Sequence, residues 1–149
     1  MKRAKRIINR RRCGFTMVEL MAVIVIIGLL AGVVAVNVVG KIDKARVVQT
    51  KANLKLLHNA VTQFKLDTGQ YLSEEVGLME LIEQPGDVEG WDPAGYLETT
   101  EIPKDGWKND FYYMLYPESG KPFVILSYGA DGEEGGEDND ADLYSTDAN

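Results

Sequence analysis

A long apolar run that follows a strongly basic N-terminus constrains this chain more than any other feature. From Leu20 to Val36 every residue is apolar or glycine, and after Asn37 the run continues to Gly40. As a helix, the run would extend about 31 Å, close to the thickness of a bilayer hydrocarbon core. Seven Lys and Arg residues precede Gly14. We therefore expect one membrane-spanning helix with a cytoplasmic N-terminus and the rest of the chain across the membrane.

Glu19 is the one charged residue between Arg12 and Lys41, and it lies one turn after Phe15, directly before the uninterrupted apolar run. An ionised carboxylate in an apolar environment is costly unless it is paired, so Glu19 marks a candidate functional site. Alternatively, Glu19 lies in the headgroup layer near a helix N-terminus, where the helix dipole favours an anion. Hydropathy does not decide between these two interpretations.

Beyond the apolar run, the segment from Lys41 to Asp67 predicts an amphipathic helix. Apolar residues recur three or four positions apart, which is the spacing of one helix face. The predicted stripe consists of Ile42, Ala45, Val48, Ala52, Leu56, Leu57, Ala60, Val61 and Phe64. Gly69 is a suitable residue for ending the helix. Because such a stripe needs a cover, we expect a small C-terminal domain to pack on it.

The remaining segment, 70–149, predicts a small α/β region. Ser73 can cap a short helix, and the Gly, Pro and Asp residues of 85–110 predict loops. Aromatic and β-branched runs at Phe111–Tyr116 and Phe123–Tyr128 predict two strands of an antiparallel sheet. The expected packing residues of the loops are Trp91, Tyr96, Leu97, Ile102 and Trp107.

Charge and residue types argue against several functions. After Gly14 the chain has nine basic and 23 acidic side chains, which argues against a nucleic-acid partner. The same part lacks a histidine cluster, a cysteine nucleophile and a phosphate-binding glycine loop, so we expect no enzymatic activity. Cys13 follows three arginines rather than an apolar stretch, which argues against a lipid anchor. His58, the single histidine, receives no functional role.

The segment from Asp131 to Asp147 contains eight acids and no base. Composition alone slightly favours a disordered, solubilising tail. The alternative is a Ca²⁺ site, since this ion takes roughly six to eight oxygen ligands. An EF-hand is excluded, because its obligatory glycine would be Leu143 and its final glutamate would be Asn149.

The N-terminal motif resembles a known family. Cys13-Gly14-Phe15-Thr16-Met17-Val18-Glu19-Leu20, followed by the apolar run, is similar to the leader of type IV prepilins and pseudopilins. The resemblance implies that a membrane peptidase cleaves between Gly14 and Phe15 and that Phe15 is then N-methylated. It also implies that Glu19 is the family's acidic position. Cleavage creates an ammonium on Phe15, and we expect Glu19 to pair with this ammonium of a neighbouring subunit during assembly, so that neither charge is left unpaired in an apolar filament core.

A second resemblance covers much of the remaining chain. Ser127 through Leu143, together with Lys44 through Tyr71, is similar to the major pseudopilin family of type II secretion systems. The family's acidic loop binds Ca²⁺. Carried over by motif, the ligands are the Tyr128 carbonyl and the carboxylates of Asp131, Asp140 and Asp142. The chain departs from the family pattern at Leu72, at Asp105–Phe111 and at Pro117–Glu118.

The resemblance implies an α+β, type IV pilin-like fold in which a long N-terminal helix packs on a small antiparallel sheet. Residues 1–14 are the leader that is removed, 15–40 the transmembrane and assembly helix, and 41–69 the amphipathic helix. Residues 70–149 form the periplasmic α/β region, with the calcium loop at 128–143. The implied location is the inner membrane, single-pass, with a periplasmic C-terminal domain.

The implied function is that of a major pseudopilin that polymerises into a periplasmic pseudopilus and supports export of folded proteins. The implied partners are copies of the chain, minor pseudopilins, the prepilin peptidase and N-methyltransferase, and the inner-membrane assembly platform. Two alternatives stay open. One is a type IV pilus subunit for adhesion or motility, and the other is a membrane-anchored periplasmic binding module.

Overall fold

The computed structural model describes residues 14–86 and 88–147, except for the side chains of 34–39. The chain divides into two compact units, Met1–Gly40 and Lys41–Asn149. Helix α1 (Met17–Thr68) contributes residues to both units. The other elements of the described part are a 3-10 helix, Gly77–Leu81, and the strands β1 (Tyr112–Leu115), β2 (Phe123–Ser127) and β3 (Leu143–Tyr144).

In the first unit, α1 exposes large apolar side chains from Met17 to Val33. Among the described residues, no helix is sufficiently long and apolar to cross a membrane. The predicted span, Leu20 to Gly40, includes the side chains of 34–39, which lie outside the described part. The leader also lies outside it, apart from Gly14. The membrane span and the leader therefore stay predictions.

In the second unit, α1 buries one face against the sheet and the connecting loops. The predicted stripe is wrong at Ile42 and Val48, and also at Leu56 on the uncovered side of the helix, since all three are exposed. The buried face begins at Thr50 instead. The reason is that the packed domain covers the helix only from this turn onward. Its fully buried members are Thr50, Leu54, Leu57, Val61 and Phe64.

The end of α1 confirms the sequence prediction. Gly69 adopts a left-handed backbone (φ 77°), and its N–H donates to the Lys65 carbonyl oxygen at 3.0 Å. The Lys65 ammonium in turn donates to the Gly69 carbonyl oxygen. Glycine tolerates this conformation, and a cation near the helix C-terminus satisfies a carbonyl that has no partner within the helix.

The sheet is antiparallel with the strand order β1-β2-β3. Both predicted strands are confirmed, each slightly shorter than expected. Strand β2 is central and buried along its whole length. Side chains alternate between the two sheet faces, and the face toward α1 belongs to the hydrophobic core. Its members are Tyr113, Leu115, Phe123, Ile125 and Leu143.

Two local predictions need correction. The helix expected from Ser73 is a single turn, in which the Val76 N–H donates to the Ser73 hydroxyl oxygen at 3.3 Å and the Gly77 N–H to the Ser73 carbonyl oxygen at 2.9 Å. Gly77, with a φ of 64°, ends this turn, and the 3-10 helix Gly77–Leu81 follows. The Ser73 hydroxyl donates to the buried Glu80 carboxylate, seven residues along the chain. The acidic segment is also not a disordered tail, because it contains β3, which pairs with β2.

The loops between the 3-10 helix and β1 cover the core as expected. Four of the five expected packing residues contact the core, and Trp107 is partly buried. The Trp91 indole N–H donates to the Glu80 carbonyl oxygen at 2.8 Å, so its polar end is satisfied. The four core contacts are Trp91, Tyr96, Leu97 and Ile102.

Candidate assembly terminus and acidic loop

The start of α1 is a capping box formed by Thr16 and Glu19. The Thr16 hydroxyl oxygen accepts the Glu19 backbone N–H at 3.2 Å. One carboxylate oxygen of Glu19 accepts the Thr16 backbone N–H at 2.8 Å and the Thr16 hydroxyl at 2.9 Å. These bonds satisfy backbone donors that an isolated helix start leaves unpaired. Phe15, just before the box, has 80 % of its surface exposed.

The capping box gives Glu19 a partner within its own chain. It also places Glu19 at a helix N-terminus, as the second interpretation of this residue expected. The Thr-x-x-Glu spacing is a known start signal for helices, so the sequence carried this information and it was missed. An inter-subunit pair with the Phe15 ammonium remains a prediction.

The acidic loop, defined as residues 128–143, is folded back on itself by hydrogen bonds. The Asp142 carboxylate accepts the Gly135 N–H at 3.1 and 3.2 Å and the Tyr144 hydroxyl at 3.3 Å. The Ala130 N–H donates to the Asn139 carbonyl oxygen at 2.9 Å. Burial and then the Asp142 carboxylate raise the pKa of Tyr144, so this hydroxyl remains a donor at neutral pH.

Two glycines allow the backbone of the acidic loop to pack closely around Asp140. A Cβ at Gly136 would lie 2.5 Å from the Asp140 carbonyl oxygen, and one at Gly129 would lie 2.7 Å from the Asp140 carbonyl carbon. Both glycines have positive φ, 89° and 70°. Side chains are therefore excluded at both positions by contact and by conformation.

The predicted calcium ligands differ in their exposure. Tyr128 and Asp142 are partly buried, whereas Asp131 and Asp140 are exposed. The Asp131 carboxylate accepts the Glu133 N–H at 3.1 Å. Within 14–86 and 88–147, no group of three or more His, Cys, Asp or Glu side chains could hold a metal ion. The all-oxygen donor set suits Ca²⁺, but its carboxylates do not converge, and the metal site stays a prediction.

A buried carboxylate that sequence reasoning missed anchors the acidic loop. Asp105 is 3 % exposed. One of its oxygens accepts the backbone N–H groups of Trp107 and Asn109 at 2.9 and 2.7 Å, and the other accepts the Ser127 hydroxyl at 2.7 Å. The Asn109 side-chain amide donates to the Gly129 carbonyl oxygen at 2.9 Å. Asp105 thus joins the loop before β1 to the end of β2.

The same loop contacts α1 directly. The Gly106 N–H donates to the Thr50 hydroxyl oxygen at 2.9 Å, and this hydroxyl donates to the Arg46 carbonyl oxygen at 2.9 Å. A Cβ at Gly106 would lie 2.4 Å from that carbonyl oxygen. Only glycine therefore permits this approach, which marks the turn where the buried face of α1 begins.

Comparison with known families and proteins agrees with the resemblance found in the sequence. The family model described as "Type II secretion system (T2SS), protein G" matches residues 37–146. The model described as "Prokaryotic N-terminal methylation motif" matches residues 9–35.

Individual relatives match over most of their length. The type II secretion system core protein G of Pseudomonas aeruginosa is 40 % identical over 142 residues, which cover 93 % of this chain and 98 % of that protein. The protein of the same name from Vibrio cholerae is 36 % identical, with coverage of 90 % and 91 %.

The fold also matches a solved structure. The crystal structure of the major pseudopilin from the type 2 secretion system of enterohaemorrhagic Escherichia coli superimposes with a TM-score of 0.58 and 25 % identity. The match covers 72 % of this chain and 92 % of that chain. The pilin-like α+β fold is therefore confirmed, and the chain belongs to the protein G family of the type II secretion system, which includes major pseudopilins.

Proposed function

We propose that this chain is the major pseudopilin subunit of a type II secretion system, whose copies polymerise into a periplasmic pseudopilus that supports export of folded proteins. The observation that carries the proposal is the exposed apolar surface of α1 from Met17 to Val33. A surface of this kind marks an interaction site, because water-exposed apolar area of this extent is unfavourable. The family is one of structural subunits, and an assembly role fits such a surface.

The proposal includes processing of the N-terminus. A prepilin peptidase and N-methyltransferase removes residues 1–14 and methylates Phe15, after which minor pseudopilins and the inner-membrane assembly platform act as partners. The match of the methylation motif to residues 9–35 supports this step. N-terminal sequencing of the mature protein should begin at Phe15. A product that begins at Met1 or beyond Val36 would contradict the proposal, and an uncut chain would favour the periplasmic binding module.

Glu19 has two proposed roles that a pair of variants separates. In the filament its carboxylate pairs with the ammonium of Phe15 in a neighbouring subunit, and this pair fixes the register between subunits. Glu19→Ala removes both this pair and the capping box, whereas Thr16→Ala removes the hydroxyl of the box but keeps the carboxylate. We expect few filaments from Glu19→Ala and near-normal filaments from Thr16→Ala. Equal filament amounts from the two variants would refute the inter-subunit role.

The cellular role is tested in a deletion strain. Loss of exoprotein release, restored by the wild-type gene, is the expected result for a pseudopilin. Surface fibres with normal exoprotein release would instead indicate a type IV pilus subunit.

We also propose that the acidic loop binds Ca²⁺ through the Tyr128 carbonyl and the carboxylates of Asp131, Asp140 and Asp142. The concentration of carboxylates supports the proposal, since clustered anions repel one another unless a cation lies between them. The close backbone packing at Gly129 and Gly136 keeps these residues in one loop. The proposal requires the carboxylates to converge when the ion binds.

A fragment that contains residues 41–149, the second compact unit, allows a direct test. Ca²⁺ at millimolar concentration should raise its Tm and a chelator should lower it, because a ligand that binds only the folded state stabilises it. Asp140→Asn/Asp142→Asn should abolish the Ca²⁺ effect. The matched control Glu133→Gln/Glu134→Gln removes two charges from the same loop and should preserve it. A Tm that does not respond to Ca²⁺ in the wild-type fragment would refute the site.

A further inference from the structure

A half-open cavity of about 430 Å³ lies between α1, the start of β2 and the segment after β3. His58 forms part of its wall. The His58 ring lies on Phe123, with 4.7 Å between ring centroids, and its Nδ1 lies 3.3 Å from the Ser145 hydroxyl oxygen. These contacts hold the lining residues in place, although the residues come from three distant parts of the sequence.

The lining of this cavity is rich in hydrogen-bond donors and contains no carboxylate side chain. Lys55 from α1 and Lys121 from the turn before β2 supply two ammonium groups. A third lies close by, because Lys65 Nζ is 4.7 Å from the ring centre of Tyr71, another lining residue. After Gly14 the chain has only nine basic residues against 23 acids, so this cavity is a positive site on an acidic molecule.

The two lining lysines are available to an external anion. The ion pairs found among the described residues are Arg46–Asp43 at 3.5 Å and Lys104–Asp110 at 2.8 Å, and neither involves Lys55 or Lys121. One acid contacts a lining residue, since the Asp147 carboxylate accepts the Thr146 hydroxyl at 3.3 Å. An incoming carboxylate therefore need not displace an existing ion pair.

We propose that this cavity receives carboxylates from the acidic loop of a second copy of this chain. The inference rests on the proposed function, because polymerisation is what brings copies together. Glu133, Glu134 and Glu137 are the contacting residues, since they are exposed and lie outside the predicted calcium ligands. Opposite charges on two docking surfaces fix their register and disfavour other arrangements.

Charge reversal in the full-length chain, expressed with its secretion machinery, tests the proposal. Lys55→Glu/Lys121→Glu should reduce filament amount about tenfold or more, because like charges would then face one another. The matched control Lys51→Glu/Lys108→Glu changes net charge equally at exposed lysines outside the cavity and should leave filaments near the wild-type amount. Combining the cavity variant with Glu133→Lys/Glu134→Lys should restore filaments. A cavity variant that assembles as well as the control would overturn the proposal.

Disulfide cross-linking tests the contact without changing many charges. The leader contains Cys13, the only cysteine, so a processed chain has no thiol of its own. Copies with Lys121→Cys and copies with Glu134→Cys, expressed together, should give a disulfide-linked dimer in isolated filaments, and neither variant alone should do so. Normal filaments without this dimer overturn the inference alone. A wild-type chain that builds no filament overturns both the proposed function and this inference.

Discussion

Apolar side chains are exposed in one stretch of α1 and buried in another. From Met17 to Val33, α1 is apolar on all sides except at Glu19, and its large apolar side chains are exposed. From Thr50 to Phe64, one face is buried by the protein's own sheet and loops, while the other carries mostly polar and charged residues, with Leu56 as an exposed apolar exception. The apolar side chains of the first stretch can be buried only by other molecules, whereas those of the second stretch are buried within the chain itself.

Stability and assembly therefore depend on different residues in this molecule. Burial within the chain decides whether residues 41–149 fold, because each apolar side chain removed from water contributes to the free energy of unfolding. The exposed stretch contributes to that free energy only when a membrane or another subunit covers it. Substitutions in the two stretches should therefore have different readouts.

The largest effect on folding should come from Phe64→Ala in the 41–149 fragment. Phe64 is fully buried and contacts Tyr96 edge-on, with 5.4 Å between ring centroids. Truncation should lower the free energy of unfolding by about 4 kcal/mol, since it removes buried area and leaves a cavity. Urea denaturation measures the loss. The control Leu66→Ala, at a residue with 72 % of its surface exposed, should change stability little. Similar losses at both positions would show that burial along α1 does not determine the stability of the fragment.

The second effect concerns the loop at which the covered part of α1 begins. Asp105→Ala leaves the Ser127 hydroxyl and the Asn109 N–H without their acceptor, which should cost about 3 kcal/mol. The control Asp110→Ala removes an exposed carboxylate that pairs with Lys104, and the expected loss is below about 1 kcal/mol. Chemical denaturation of the two fragments compares them. A loss at Asp105 no greater than at Asp110 would show that the loop does not depend on this buried carboxylate.

A smaller effect should appear on mild acidification. Burial lowers the pKa of His58 below its usual value, so the unfolded chain binds a proton more readily than the folded one. Stability should therefore be complete above the unfolded pKa of about 6.5 and should decrease as pH falls through the lower, folded value. Denaturation of the 41–149 fragment between pH 7 and 5.5 measures this dependence. His58→Gln should flatten it, and an unchanged slope in this variant would assign the effect to other groups.

The smallest effect should come from the part of the predicted stripe that the domain leaves uncovered. Val48→Ser and Leu56→Ser replace exposed apolar side chains of α1. Each should change the free energy of unfolding by less than about 0.5 kcal/mol, as exposed substitutions usually do. Thermal and urea unfolding of the fragment give this value. A loss above about 1 kcal/mol at Val48 would mean that the buried face extends further toward the N-terminus than Thr50, and one at Leu56 would mean that this face is wider than the structure shows.

Local features of the chain were predictable because they depend on neighbours in sequence. Gly69 ends α1 as expected, and the two longer strands lie where aromatic and β-branched runs predicted them. The capping box at Thr16 and Glu19 belongs to the same class, since its signal spans four residues. Family membership followed from the two motifs at opposite ends of the chain.

The features that sequence reasoning missed depend on contacts between distant segments. Strand β3 has only two residues and exists because β2 offers it a partner. In the sequence, the buried Asp105 cannot be told from a surface acid, because its partner Ser127 is 22 residues away. The cavity beside His58 likewise forms only when α1, β2 and the C-terminal segment meet.

The sequence by itself determined that this chain has an apolar N-terminal helix, an acidic C-terminal region and a place in the protein G family, because these are properties of composition and short motifs. Only the tertiary structure decided which face of α1 is covered. Two possible apolar faces, one through Val48 and Leu56 and one through Leu54 and Leu57, both satisfy helical spacing. The domain covers the second, and this face begins where Gly106 approaches the Arg46 carbonyl oxygen and bonds to Thr50, contacts that join residues more than fifty positions apart.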